Sequence, residues 1–233
     1  MIIVIGGGPA GFFGAITARE AAPSLPVLML EKGGEILRKV AVSGGGRCNV
    51  THACFEPHDL AGRYPRGGRE LLGPFHHWGP TETVDWFAAR GSRLKTEPDG
   101  RMFPETDDSA TIVDCLRRTA QEAGVEVLTR KTVTEIERDG GDFLVKTAGG
   151  DLPCETVLLA AGGRTSGGSG GYELARGLGH TVVDPVPSLF TFRCSDRLLE
   201  GLAGVAAEAA IEIADRPRGR DDLRPVSYTH LRA

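Results

Sequence analysis

The sequence lacks most of the features that assign a function class at sight. Its five cysteines, Cys48, Cys54, Cys115, Cys154 and Cys194, contain no CxxC pair and no zinc-ligand spacing. Free thiols in a reducing compartment fit that pattern best. His76 and His77 stand side by side without a third ligand pattern, so no metal is expected. No apolar run reaches about 18 residues without a glycine or a charge, so no membrane-spanning helix is expected. Positive charge is not in excess: 27 Lys and Arg face 31 Asp and Glu, a net charge of −4. That balance gives no electrostatic case for nucleic acid or an anionic membrane as partner. The arginine groups Arg63, Arg66, Arg69 and Arg216, Arg218, Arg220 are spaced among Gly, Pro and Asp and read as solvated loops. No internal repeat is visible. An apolar strand begins at Met1, which leaves no room for a signal peptide and points to the cytoplasm.

What the sequence has is glycine. The 33 glycines are about twice the usual share of roughly 7%, which suggests repeated close approach of backbone to something else. The run "SGGGRCNVTH", Ser43 to His52, concentrates the question: three glycines hold no helix or strand well, yet Arg, Cys and Asn follow them directly. In isolation such a run reads as a surface turn. The chain otherwise alternates: an apolar β-branched strand Ile2 to Ile5, a small-residue helix from Pro9 to about Ala22, and a strand Val27 to Leu30. Gly33 to Pro80 reads as loop. Helices follow, one capped at Thr81 and stopped at Gly91, another capped at Ser109 and stopped at Gly124. Then come strands Val125 to Leu128, Thr132 to Arg138, Phe143 to Thr147 and Thr156 to Ala160, with "DGGD" as a hairpin turn. A last helix is expected near Tyr172 to Leu178.

The first turn carries chemistry. Gly6-x-Gly8-x-x-Gly11 lies directly between a strand and a helix, the context that a GxGxxG needs. Gly6 permits the tight turn, Gly8 lets backbone approach a pyrophosphate, and Gly11 lets helix and strand pack closely. Pro9 falls at the first helical position, where its missing N–H costs nothing, and Ala10 follows. Free N–H groups and the helix dipole then face phosphate. Glu31 comes 20 residues after Gly11, at a strand end, where a carboxylate accepts from adenosine ribose hydroxyls. A carboxylate there disfavours a 2′-phosphate, so FAD or NAD is expected. The meander between about Thr132 and Thr156 departs from plain βαβ succession. It is followed by "VLLAAGG", whose Ala161, Gly162 and Gly163 resemble the second signature of glutathione-reductase-type FAD domains. That resemblance implies that Val133, in the first meander strand, contacts adenine through its backbone.

With "GGGPAG", "LEKG", "LRKVAVSGGGRCNVTH", "GRMFP" and "GGYELARGLGH" read together, the chain resembles the BaiN-like (YhiN-type) family of NAD(P)/FAD-dependent oxidoreductases, over about Met1 to Asp215. The resemblance implies an FAD site made of the first glycine turn, Glu31 and Lys32, Lys39, and Ser43, Gly44, Gly45, Gly46, Arg47, Cys48 and Asn49. In it Ser43 to Thr51 wraps the flavin side, Arg47 offsets pyrophosphate or flavin charge, and Asn49 bonds the ring or ribityl chain. His52 stands where the family usually has asparagine. The fold it implies is a Rossmann-like FAD-binding domain, a parallel sheet plus an antiparallel meander, with an inserted β-rich second domain. The activity it implies passes hydride from NAD(P)H through the flavin to an electron-poor small organic acceptor.

Two other readings stay open: a flavin-binding segment without turnover, and a tRNA-modifying flavoprotein. "GGSGG", Gly167 to Gly171, matches a hydrolase elbow in letters only, since Ser169 does not directly follow a strand. Cys48 without a CxxC partner reads as packing rather than redox, with Cys54 as a possible partner. The domains are expected at residues 1–187 for FAD, with the closing segment missing, and at 188–225 for the start of the second domain. Residues 226–233, within "PVSYTHLRA", read as a foreign tail on a truncated product.

Overall fold

The structure, a computed structural model, describes residues 1–163 and 171–184. The expected second domain, the 226–233 tail, Ser169 and Cys194 lie outside the described residues. Residues Met1–Val182 form one compact unit.

The two most apolar short runs make the centre. β1 (Ile2–Ile5) and β2 (Val27–Leu30) pair in parallel, Ile2 opposite Val27. Ile3, Val4, Met29 and Leu30 are almost wholly buried, as continuous apolar strands of a two-face-covered sheet should be. β10 (Thr156–Leu159) adds in parallel beside β1, and β6 (Glu126–Leu128) beside β2, giving the order β10-β1-β2-β6. One face is covered by α1 (Pro9–Ala21) and α6 (Ala110–Glu122), through Phe12, Ile16, Ile112, Leu116 and Ala120. The other face is covered by the meander β7 (Val133–Asp139), β8 (Asp142–Thr147) and β9 (Gly150–Cys154), through Ile136, Val145 and Cys154.

The segment from Gly33 to Pro80, expected as loop, is largely structured. It forms α2 (Arg38–Val42), a 3-10 turn (Ser43–Gly46), the short strand β3 (Thr51–His52), α3 (Pro57–Ala61) and α4 (Gly68–His77). Proline concealed α3 and α4: Pro57 sits in the first turn of α3, where it is tolerated, and Pro74 lies inside α4, where sequence rules expect a break. β3 joins β4 (Leu94–Thr96) and β5 (Arg101–Pro104) in an antiparallel sheet of order β3-β5-β4.

Of two expected caps, Thr81 is displaced, while Ser109 keeps the N-cap position without a side-chain cap bond. α5 (Pro80–Ala88) starts two residues earlier than a Thr81 cap allows, because Pro80 takes the first helical position and the Glu82 carboxylate accepts the Gly79 N–H at 2.7 Å. At α6, the Ser109 hydroxyl donates to Ala41 O at 2.8 Å instead, and Asp108 accepts the Ala110 N–H at 2.8 Å. The last described helix is α7 (Tyr172–Gly177). Among the described residues no helix is long and apolar enough to cross a membrane.

Candidate functional site

The first glycine turn separates into closed and open positions. Gly6 has φ +115°, and a Cβ added there would sit 2.4 Å from Ala160 O. At Gly11 a Cβ would sit 2.0 Å from Gly6 O. Both are therefore fixed by backbone crossings within the protein. Gly8 differs: nothing lies within 4 Å of an added Cβ. It caps α1 with extended backbone and no side-chain bond. The first N–H groups of a helix have no intrahelical partner, so this open flank presents donors and the positive helix end together.

Glu31 stands at the C-terminal end of β2. One carboxylate oxygen accepts the Gly7 N–H at 2.8 Å, the other the Gly33 N–H at 2.6 Å. A carboxylate offers about four acceptor directions, so each oxygen keeps capacity for a hydroxyl. Beside it lies a cleft of about 80 Å³ lined by Gly6, Glu31, Lys32, Val133 and Ala161. Val133 is at a β-bulge: it pairs with Thr147, the next pair is Glu135 with Lys146, and Thr134 is the unpaired extra residue. Bulges interrupt the ladder and re-aim the chain at a site's edge. Gly7, which the motif leaves unassigned, is the hub of this end. It receives Glu31, and its carbonyl accepts the Leu37 N–H at 2.8 Å.

The second glycine run forms a separate wall. Gly44, Gly45 and Gly46 all have positive φ, 57°, 71° and 87°, and so does Cys48 at 63°. A Cβ on Gly45 or Gly46 would meet nothing within 4 Å. Ser43, Cys48 and Asn49 line a mainly apolar cavity of about 380 Å³ together with Pro9, Lys39 and Trp86. Pro9 thus connects this cavity to the first glycine turn. The Lys39 Nζ lies 3.6 Å from the position of a Cβ on Gly162, itself at φ +74°. Gly163, its neighbour, faces the Tyr172 hydroxyl at 3.9 Å by the same measure.

Arg47 is engaged by the protein. Its Nη1 donates to Glu97 Oε1 at 2.5 Å and to Asp107 Oδ1 at 3.4 Å, and its guanidinium lies 4.0 Å from the Phe103 ring centre. The Glu97 hydrogen bond holds the guanidinium pKa above its ordinary value. Burial pushes the Cys48 thiol up, against the opposing Ser43 hydrogen bond, which favours the neutral thiol over a reactive thiolate. Cys48, Cys54, Cys115 and Cys154 are free. Among the described residues no group of three His, Cys, Asp or Glu could hold a metal ion.

Residues 1–214 match the HI0933-like protein Rossmann domain. The chain belongs to this family. The HI0933-like chain is 30% identical over 212 residues to a 3-dehydro-bile acid delta(4,6)-reductase of Clostridium scindens, covering 89% of this chain and 51% of that protein. It is 31% identical over 236 residues to a ribosomal RNA dihydrouridine synthase of Escherichia coli, covering 98% of this chain and 56% of that protein. The chain thus spans about half the length of these curated relatives. Among solved structures, the 3-ketosteroid-delta4-(5alpha)-dehydrogenase of Rhodococcus jostii RHA1 shares the fold at a TM-score of 0.50 and 18% identity, over 67% of this chain and 44% of that one. The fold is the Rossmann-like FAD-binding type, a parallel sheet backed by an antiparallel meander.

Within this HI0933-like fold, Gly6, Glu31, Lys32, Val133 and Ala161 meet at one cleft, and Pro9, Lys39, Ser43, Cys48 and Asn49 at another. Sequence reading named these residues. It missed the partners of Arg47, because Glu97, Phe103 and Asp107 are 50 or more residues away. The motif "GRMFP" contains Phe103 and marks β5, but no spacing rule connects it to the loop.

Proposed function

We propose that this chain holds FAD, and that the protein it represents passes hydride from NAD(P)H through the flavin to a carbon–carbon double bond conjugated to a carbonyl. The observation that carries the cofactor reading is the open flank of Gly8 between the closed crossings at Gly6 and Gly11. A pyrophosphate needs that close backbone approach, and the protein leaves it clear. Glu31 would accept the ribose hydroxyls with its spare oxygen capacity, with Lys32 beside it. The bulge at Val133 would offer backbone to the adenine. Lys39, without an ion-pair partner among the described residues, would supply the cation near Gly162. Ser43 to Asn49 would line the flavin side with main-chain N–H groups, and Ala161, Gly162 and Gly163 would close the turn after β10.

The bound flavin supplies the hydride chemistry, and the chain's own task is to bind, orient and exclude water. The acceptor class rests on the relatives' names: a delta(4,6)-reduction of a 3-dehydro steroid and the formation of dihydrouridine both saturate a double bond conjugated to a carbonyl. The apolar, aromatic-walled cavity beside Asn49 suits a small planar acceptor. A second reading has a uracil ring in RNA as acceptor. It is favoured by the name of the Escherichia coli relative and opposed by the acidic balance of this chain. The test is denaturation of the purified protein and identification of the released chromophore, followed by NAD(P)H oxidation assays with a conjugated enone and with unmodified ribosomal RNA. Released FMN, or no flavin, would end the cofactor reading. Turnover on RNA alone would replace the small-molecule acceptor, and binding without any turnover would leave an FAD-holding module.

A further inference from the structure

A loop with four left-handed residues in five, Gly44, Gly45, Gly46 and Cys48, has little of its own to hold it: the Arg47 and Cys48 N–H groups both bond Ser43 O. Ordering glycine gives up more backbone freedom than any other residue, and Cys48 in this region is strained. The restraint comes from the β4–β5 strands. Arg47 reaches out of the loop to Glu97 and Asp107 and sits over the Phe103 ring, 4.0 Å from its centre. Phe103 also abuts the loop, since a Cβ on Gly44 would sit 2.8 Å from its ring. The carboxylates are braced in turn: Lys95 bonds Asp107, and Arg101 approaches Glu97 at 3.6 Å and Asp99 at 2.7 Å. Backbone bonds tie both flanks, Ser109 N–H to Gly46 O and Val50 N–H to Met102 O, each at 2.9 Å.

This cluster contains three cations, Arg47, Lys95 and Arg101, and three carboxylates, Glu97, Asp99 and Asp107. It has no surplus positive charge to offer a phosphate. We infer that Glu97 and Asp107 are positioning residues for the flavin half of the cofactor, using Arg47 as a latch that fixes the glycine loop against Phe103. The loop's main-chain N–H groups, rather than the arginine's charge, then face the cofactor. The inference rests on the FAD reading above and departs from the expectation that Arg47 offsets cofactor charge.

The experiment titrates FAD and ADP into the wild-type chain and into Glu97→Ala, Arg47→Ala and the double variant. ADP carries the adenosine and pyrophosphate but no flavin half. Each single variant should weaken FAD about tenfold, the scale of one hydrogen bond to a charged group. Each should leave ADP binding unchanged, and the double variant should lose no more than either single one. If Arg47 instead neutralises the cofactor, Arg47→Ala weakens ADP as much as FAD, and Glu97→Ala, which frees the cation, tightens both. Either result overturns the latch, as does unchanged FAD binding in Glu97→Ala. A wild-type chain that binds neither ligand overturns the FAD reading itself. Should Glu97→Ala fail to fold, Glu97→Gln, which keeps shape and removes charge, gives the same FAD-against-ADP contrast in smaller measure.

Discussion

Gly8 and Gly11, three residues apart, should respond oppositely to one added methyl group. At Gly11 the Cβ has no space, 2.0 Å from Gly6 O. Gly11→Ala should destabilise the fold by about 1–3 kcal/mol, as overpacking does. At Gly8 the backbone is at φ −87° and ψ −179°, open to any residue, and the flank is empty. Gly8→Ala should keep the wild-type melting temperature and weaken FAD by about tenfold or more, near 1.4 kcal/mol. Thermal unfolding and FAD titration on the two variants check this; equal FAD affinity in wild type and Gly8→Ala would remove the pyrophosphate from that flank. Glu31→Ala should weaken FAD by about 1–3 kcal/mol. It should also lower stability, since the Gly7 and Gly33 N–H groups lose their acceptor. A stability loss without an affinity loss would reduce Glu31 to a brace of the turn.

At the scale of elements, the β4–β5 clamp carries a pH signature. The Lys95 hydrogen bond, then Arg47, hold the Asp107 carboxyl below its ordinary value, and the Arg101 backbone N–H does the same for Asp99. The other ionisable groups facing the cluster are Glu97, Arg101 and His52, whose ring bonds Asp99 O. A depressed carboxylate contributes stability that is fully present above the unfolded value, about 3.9, and is lost as pH falls through the lower folded value. The glycine loop should therefore stay ordered at neutral and mildly acidic pH and loosen only in stronger acid. Amide exchange at Gly45 and Gly46 across that range measures it; loosening already near pH 6 would contradict the carboxylate origin.

The same elements show what sequence can and cannot convey. β1, α1 and β2 were legible to within a residue, because apolar runs, a proline at the first helical position and a glycine turn are all local signals. The meander was legible through its alternation and its DGGD turn, although β9, interrupted by Pro153, was not separated. Of the helices between Gly33 and Pro80, α3 and α4 were hidden by prolines whose tolerance depends on position within the helix. The clamp on Arg47 was hidden because β5 and the loop meet only through the tertiary fold.

On the scale of the whole molecule, both walls of the proposed site come from one compact unit, Met1–Val182, while the chain spans about half of its curated relatives. The residues proposed for the adenosine and pyrophosphate, Gly8, Glu31 and Val133, are all within that unit. Most of the affinity should come from the adenosine half, where the open flank of Gly8, the Glu31 carboxylate and the cleft at Val133 converge. Calorimetric titration of the purified chain with FAD, ADP and FMN tests this most directly. The account predicts that FAD and ADP bind and compete for one site, and that FMN, which lacks the adenosine half, does not bind detectably. FMN binding as tight as FAD, or no binding of either adenosine-bearing ligand, would contradict it.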